Sequence, residues 1–264
     1  MTTAQRTGPA PVGLLLRRWR ERRRLSQLEL SVQANISSRH LSFVETGRSA
    51  PSREMVLRLS EELEVPLRDR NSLLLAAGYA PRYPETPLDA PPMAAVCEAV
   101  RQVLTGHEPY PALAVDRHWD LVEANATIAL FTDGVAAELL VPPVNVLRVS
   151  LHPAGMAPRI ANLGEWRAHL LHRLQRQVGF TADPQLAQLY EELRGYPCDQ
   201  PEPAVEVPGP GAIVTPLRVR AGGEELAFFS TVAVFGTPLD ITVAELAIES
   251  FFPADAITAA ALRR

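Results

Sequence analysis

Residues 25–48 read LSQLELSVQANISSRHLSFVETGR, and few folds accommodate that order of signals. Ser26 is placed to cap a helix, and Glu29, three residues on, completes a reciprocal capping box. The helix carries Leu28, Leu30 and Val32 and should end near Gln33. Ala34, Asn35 and Ile36 form a short turn. Ser37 then caps a second helix over residues 38–45, with Leu41 and Val44 facing inward. Two short helices joined by a tight turn make a helix-turn-helix, whose second helix can lie in the DNA major groove. Ser38, Arg39, His40 and Ser42 would face outward from it, small or hydrogen-bonding side chains of the kind that read base edges.

The flanks extend this to five helices. Residues 12–24 form an amphipathic helix with Val12, Leu15, Leu16 and Trp19 on one face. Arg17, Arg18, Arg20, Arg22, Arg23 and Arg24 occupy the other, either as a solvated face or as phosphate contacts. Gly47 allows a left-handed helix end, and Arg48 sits in a loop where a backbone phosphate could pass. Ser52 caps a fourth helix to about Leu63, with Met55, Val56, Leu59 and Leu63 inward. Val65-Pro66 breaks it, and a fifth helix over 68–77 ends at Gly78. Residues 1–80 hold 13 Arg against 8 acids (+5), and the rest 13 Arg against 22 acids (−9), within a net charge of −4. A basic first module on an acidic body suggests that only the first part meets a polyanion. Every cation is Arg, which suits bidentate contacts to phosphate and guanine, although a GC-rich genome explains the absence of Lys as well.

Residues 1–11 are polar, rich in Thr, Gly and Pro, and expected to be disordered. Pro81, Pro84, Pro87, Pro91 and Pro92 mark residues 81–92 as a semi-stiff linker. It separates a DNA-binding domain at 12–80 from a second domain at 93–264. That second domain opens with a helix over 93–104, with Val96, Val100, Val103 and Leu104 on one side. Residues 111–116 read as a strand, Arg117-His118 as a tight turn and 119–123 as the returning strand. A helix over 124–131 starts near Asn125, and a short helical turn covers 145–148. A long helix spans 165–178, and another runs over 184–194, capped by Asp183 with Pro at its first position. Residues 195–211 are irregular. Strands over 212–220 and 225–235 form a hairpin around Ala221-Gly222-Gly223-Glu224, and a third strand follows over 239–243. The tail at 244–252 reads as strand or helix, and a last helix starts after Pro253-Ala254-Asp255. The fold class is multidomain: an all-α domain, then an α+β domain whose antiparallel sheet is covered by helices.

The chemistry of the second domain points away from catalysis. Cys97 and Cys198 are far apart and outside metal-ligand spacing, so neither a disulfide framework nor a zinc site is indicated. His169 and His172 share a helix face, but no carboxylate or Cys is placed as a third ligand, so no metal is expected. Nucleophile-elbow, dinucleotide and P-loop motifs are absent, and neither a catalytic residue nor a cofactor is expected. No apolar run approaches the roughly 18 residues a membrane helix needs, and no signal peptide is evident. The expectation is a bacterial cytoplasmic protein, at the nucleoid when bound to DNA, with no membrane partner.

Gln27, Leu41-Ser42-Phe43-Val44-Glu45, Gly47-Arg48 and the following Pro and fourth helix resemble the Cro/C1 (XRE-type) phage-repressor DNA-binding domain, a five-helix lambda-repressor-like fold. The resemblance implies that Gln27 bonds a phosphate or base, that Ser37, Ser38, Arg39, His40 and Ser42 face the major groove, and that Arg20 pairs with Glu45. It also implies a homodimer on a palindromic double-stranded operator. The second domain resembles the MmyB-like (MltR-type) ligand-binding domain, which is PAS-like. The match is carried by Pro111-Ala112, Asp116, Trp119, Leu121 and Ala124-Asn125, by 145–147, and by Leu75-Ala76-Ala77-Gly78-Tyr79-Ala80-Pro81 between the domains. That resemblance implies a small-molecule sensor with long-chain acyl compounds, such as a fatty acid, as one ligand class.

A sheet closed by helices encloses an apolar cavity with a few polar anchors. Trp119, Phe131, Trp166, Leu170, Tyr190, Phe228 and Phe229 are candidates for its wall, although core packing accounts for each. Arg148, Arg167 or Arg173 could meet a carboxylate. Asn125, polar at a strand-to-helix junction, is either a ligand contact or an N-cap. The expected function is a sequence-specific transcription repressor sensing a small apolar ligand. The alternative is a regulator whose second domain serves only dimerisation or protein contact.

Overall fold

Ser26, Ser37 and Ser52 cap the helices that the sequence assigns to them. The computed structural model describes residues 10–201 and 215–263. The disorder expected at 1–9, the irregular stretch at 202–211 and the strand start at 212–214 lie outside the described residues. The chain divides into two compact units, one running to Glu85 with Leu239–Ile241 added, the other Thr86–Pro238 with the residues from Thr242 onward.

The first unit contains α1 (Val12–Arg22), α2 (Gln27–Gln33), α3 (Ser38–Glu45), α4 (Arg53–Glu62) and α5 (Leu67–Ala76). Ser26 Oγ accepts from Glu29 N at 3.1 Å while Ser26 N donates to Glu29 Oε2 at 2.7 Å. Ser37 Oγ accepts from His40 N at 3.1 Å, and Ser52 Oγ from Met55 N at 3.2 Å. Each such cap contributes about 1 kcal/mol. Leu16, Leu30, Leu41, Leu59, Leu63 and Leu73 form the core beneath them. Of the three apolar residues of α2 only Leu30 turns inward; Leu28 and Val32 are 65% and 71% exposed. Alternate residues of a helix lie about 200° apart, so these three cannot share a face. Gly13 of α1 lies directly against α3: a Cβ there would stand 2.1 Å from the Val44 carbonyl oxygen. After α5, Gly78 takes a φ of 83°, and Asn71 gathers the chain that follows. Asn71 Nδ2 donates to Tyr83 O at 2.7 Å, and its Oδ1 accepts from the backbone N–H groups of Arg82 and Tyr83.

The second unit begins with a 3-10 turn, Pro91–Met93, leading into α6 (Ala94–Gly106). Val100 and Leu104 are buried, whereas Val103, at the edge of the stripe, is 51% exposed. There follow β1 (Ala112–Val115), β2 (Leu121–Ala124), α7 (Ala129–Thr132), α8 (Val146–Leu151), α9 (Leu163–Thr181) and α10 (Pro184–Arg194). Then come β3 (Leu217–Ala221), β4 (Glu224–Val234), α11 (Ile241–Ala244, whose Ile241 groups with the first unit), β5 (Ala247–Pro253) and α12 (Ala256–Ala261). The five strands form one antiparallel sheet in the order β2-β1-β5-β4-β3, the PAS-like arrangement. One sheet face, with Ala112, Ala114 and Ile248, packs on Val100 and Leu104 of α6. The other carries Leu113, Phe228 and Phe251 into the main core beside α8, α9 and α10.

Three local expectations are corrected. The third strand lies at Ala247–Pro253 rather than 239–243, where the short α11 stands. The segment that becomes β5 must hydrogen-bond β1 on one side and β4 on the other, a requirement set by distant residues. Trp119 is part of the turn, at a φ of 69°, and the returning strand starts at Leu121. Asn125 caps no helix; a 3-10 turn, Ala126–Ile128, precedes the short α7, and the Asn125 side chain is used elsewhere.

Candidate functional site

The first unit presents α3 to solvent along Ser38 and Arg39, with His40 and Ser42 half-buried at its sides. The Ser37 oxygen is engaged as the helix cap. The Arg39 and Arg48 guanidinium carbons lie 5.4 and 5.9 Å from the centroid of the Phe43 ring. Cation–π attraction of this kind is worth about 0.5–1 kcal/mol at an exposed site. It gathers a helix arginine and a loop arginine around one ring that sequence reasoning had not singled out. Phe43 also accepts backbone hydrogen bonds from Arg48 N at 2.8 Å and Ser49 N at 3.1 Å, which fixes the loop.

Behind this face lies the Arg20–Glu45 pair. Arg20 Nε donates to Glu45 Oε1 at 2.7 Å and Nη2 to Oε2 at 2.9 Å, while Nη1 donates to Leu25 O at 2.7 Å. Gln27 Nε2 donates to Glu45 Oε2 at 2.7 Å. The Glu45 side chain is 1% exposed and that of Arg20 10%. Hydrogen bonding to Glu45 raises the Arg20 pKa further above its ordinary value. One carboxylate thus ties α1, the start of α2 and the end of α3 together. Two more arginines at the end of α1 are engaged: Arg22 lies 4.4 Å from the Trp19 ring centroid, and the C-cap Arg23 donates to Leu63 O at 2.9 Å.

The second unit holds an apolar cavity of about 80 Å3. Trp119, Phe131, Trp166 and Leu170 line it, with Leu113 and Phe251 from the sheet. Phe131 packs edge-on against Phe251, ring centroids 4.9 Å apart, and Phe228 stands behind it at 5.5 Å. Trp166 Nε1 donates to Ser150 Oγ at 3.0 Å, and Trp119 Nε1 donates to Gln177 Oε1 at 2.8 Å, so both rings are fixed in place.

Asn125, Arg148, Arg167, Tyr190 and Phe228 are not on the cavity wall. Asn125 Oδ1 accepts from Ala112 N at 3.0 Å, and its Nδ2 donates to Leu104 O at 3.1 Å and Tyr110 O at 2.8 Å. Arg148 forms a bidentate pair with Glu192 at 2.7 and 2.8 Å, and Tyr196 Oη donates to the same carboxylate at 2.7 Å. Arg167 Nη2 donates to Arg194 O across to the end of α10. Tyr190 and Phe228 pack in the surrounding core.

Glu249, not singled out from the sequence, is the ionisable group that reaches the wall, beside Thr132 and Ser150. It is 5% exposed and accepts from Ser230 Oγ at 2.8 Å and from Arg173 Nη1 at 3.1 and 3.2 Å. The Arg173 guanidinium carbon lies 4.4 Å from the Trp119 ring centroid, and Arg173 borders an open cleft with His169, His172 and Arg176. His169 stacks on Trp166, centroids 5.4 Å apart. Burial, then the Arg173 charge, pushes its pKa below the usual imidazole value.

Among the described residues no group of three or more His, Cys, Asp or Glu could hold a metal ion, and no helix is long and apolar enough to cross a membrane. No curated protein matches the sequence. The profile of the helix-turn-helix family matches residues 16–69, over α1 to the start of α5. Residues 96–264, more than half of the chain, match the MmyB-like transcription regulator ligand binding domain. With a helix-turn-helix unit followed by a PAS-like sheet around an apolar cavity, the chain belongs to the MmyB-like transcription regulators.

Proposed function

We propose that this DNA-binding transcription regulator is a repressor, acts as a homodimer, and is switched by a small apolar ligand of the fatty-acyl class. The observation that carries the ligand reading is the cavity itself: its walls are aliphatic and aromatic, with Trp119 and Trp166 locked by hydrogen bonds. A pre-formed apolar site with few polar groups suits an apolar ligand. Arg39 and Ser38 are exposed on the helix that reads bases, with His40 and Ser42 beside them, while Gln27 and Arg48 position the DNA backbone. Ligand shifts the equilibrium between DNA-competent and incompetent states by binding one of them better. The protein works in the bacterial cytoplasm, at the nucleoid when bound to DNA.

Extraction of the purified protein, followed by mass spectrometry, should recover an apolar compound. Adding that compound at about 100 times its Kd should stabilise the ligand-binding unit by about 2.7 kcal/mol. For a unit of this size the corresponding shift is about 5–11 °C. An empty extract, with no thermal shift across an acyl series, would overturn the ligand reading and favour a domain used only for dimerisation.

A further inference from the structure

Glu249 is the one ionisable side chain among the described residues on the cavity wall. We propose that the ligand is uncharged and presents a hydrogen-bond donor, a hydroxyl or an amide N–H, to this carboxylate, and that a free carboxylate is excluded. This rests on the ligand reading above and specifies its head group.

Glu249 lies on β5 opposite Leu113 of β1, a cavity-lining residue, so the carboxylate is directed to the cavity face of the sheet. An ionised carboxylate only accepts, and it offers about four lone-pair positions. Ser230 and Arg173 both donate to Oε1, whereas Oε2 accepts from Arg173 alone. Oε2 therefore retains capacity for one more donor. Arg173 approaches from outside the cavity, lying over Trp119 and bordering the open cleft. Its charge is already balanced by Glu249.

The consequences differ by head group. A ligand hydroxyl or amide donates to Oε2 and leaves the Arg173–Glu249 pair neutral. A ligand carboxylate adds a second negative charge against a 5% exposed acid, and two carboxylates at such a site do not both ionise. An ammonium would find an acid whose charge Arg173 already balances, and would lose its hydration on entry. The acyl class remains compatible through its amides and alcohols.

The full chain is titrated at about pH 7.5 with 1-octanol, octanoate and octylamine, following tryptophan fluorescence, since Trp119 and Trp166 line the wall. Octanol should bind at least about tenfold more tightly than either charged compound, one pKa unit or more of ionisation penalty. In Glu249→Gln, whose amide oxygen still accepts from Ser230 and Arg173, octanoate should gain about threefold or more while octanol changes less. Octanoate or octylamine binding as tightly as octanol to the native protein overturns the inference and leaves the ligand reading standing. An unchanged octanol-to-octanoate ratio in the variant overturns it too. Should the variant not fold, the native ratio alone decides. Failure of all three compounds to bind the native protein removes the ligand reading, and this inference with it.

Discussion

Glu45→Gln tests the carboxylate that ties α1, α2 and α3 together. The glutamine keeps the shape but replaces one oxygen with an NH2 group. Every partner of that carboxylate is a donor: Arg20 Nε on one oxygen, Arg20 Nη2 and Gln27 Nε2 on the other. Whichever way the amide lies, at least one donor faces another donor, and the Arg20 charge, on a side chain 10% exposed, loses its counter-charge. Removing one partner of a buried pair costs about 3–5 kcal/mol. The amide oxygen still accepts at least one bond, which puts the expected loss near the lower end, about 3 kcal/mol. For a helical unit of this size that lowers the unfolding midpoint by about 12–24 °C. Calorimetry on the full chain reads this directly, with the N-terminal transition identified as the one that added DNA raises. Arg20→Met combined with Glu45→Leu removes both charges and should recover most of the loss. A Gln variant within about 1 kcal/mol of the native protein, or a double variant as unstable as the single, would refute the reasoning.

Three further outcomes are expected. Arg39→Ala should weaken operator binding more than binding to random DNA, whereas Arg48→Ala should weaken both and flatten the salt slope by about one unit, as filter binding across a salt series would show. Asn125→Ala removes the side-chain partner of Ala112 N and Tyr110 O and leaves Leu104 O with His107 N alone, so it should cost about 2 kcal/mol in urea unfolding; a loss under about 0.5 kcal/mol would contradict the bond network. His169 has a depressed pKa in the fold, so between that value and its unfolded value near 6.5 the unfolded chain binds more protons. Stability of the second unit should be complete above about pH 6.5 and fall on acidification, and His169→Gln should reduce that slope; parallel pH–stability curves for the two proteins would count against it.

Local chemistry carried the legible part of the fold. The serine caps at 26, 37 and 52, the Asp183 cap with Pro184 and the Gly222-Gly223 hairpin turn each act within a few residues, and each stands where the sequence puts it. The Arg20–Glu45 pair, implied by resemblance, spans 25 residues and is present. What was not legible depends on partners far along the chain. Leu239–Val243 carries a strand-like apolar pattern, yet the strand belongs to the segment that fits between β1 and β4. Arg148 offers the same side chain to a ligand or to Glu192, 44 residues away, and only the fold assigns it to Glu192. Glu249 looks like one more acid in an acidic tail until β5 sets it opposite Leu113, with Arg173, 76 residues earlier, alongside.

Gly13 gives the DNA face a determinant that never meets DNA. With no side chain between them, the backbones of α1 and α3 rest against each other at Val44, one residue before the carboxylate that locks the pair. The depth to which the recognition helix can reach is therefore set from its hidden side. A methyl group at this point would force the backbones of α1 and α3 apart while every outward residue of α3 kept its identity. The placement of α3 thus depends on an absent side chain as well as on those that are present.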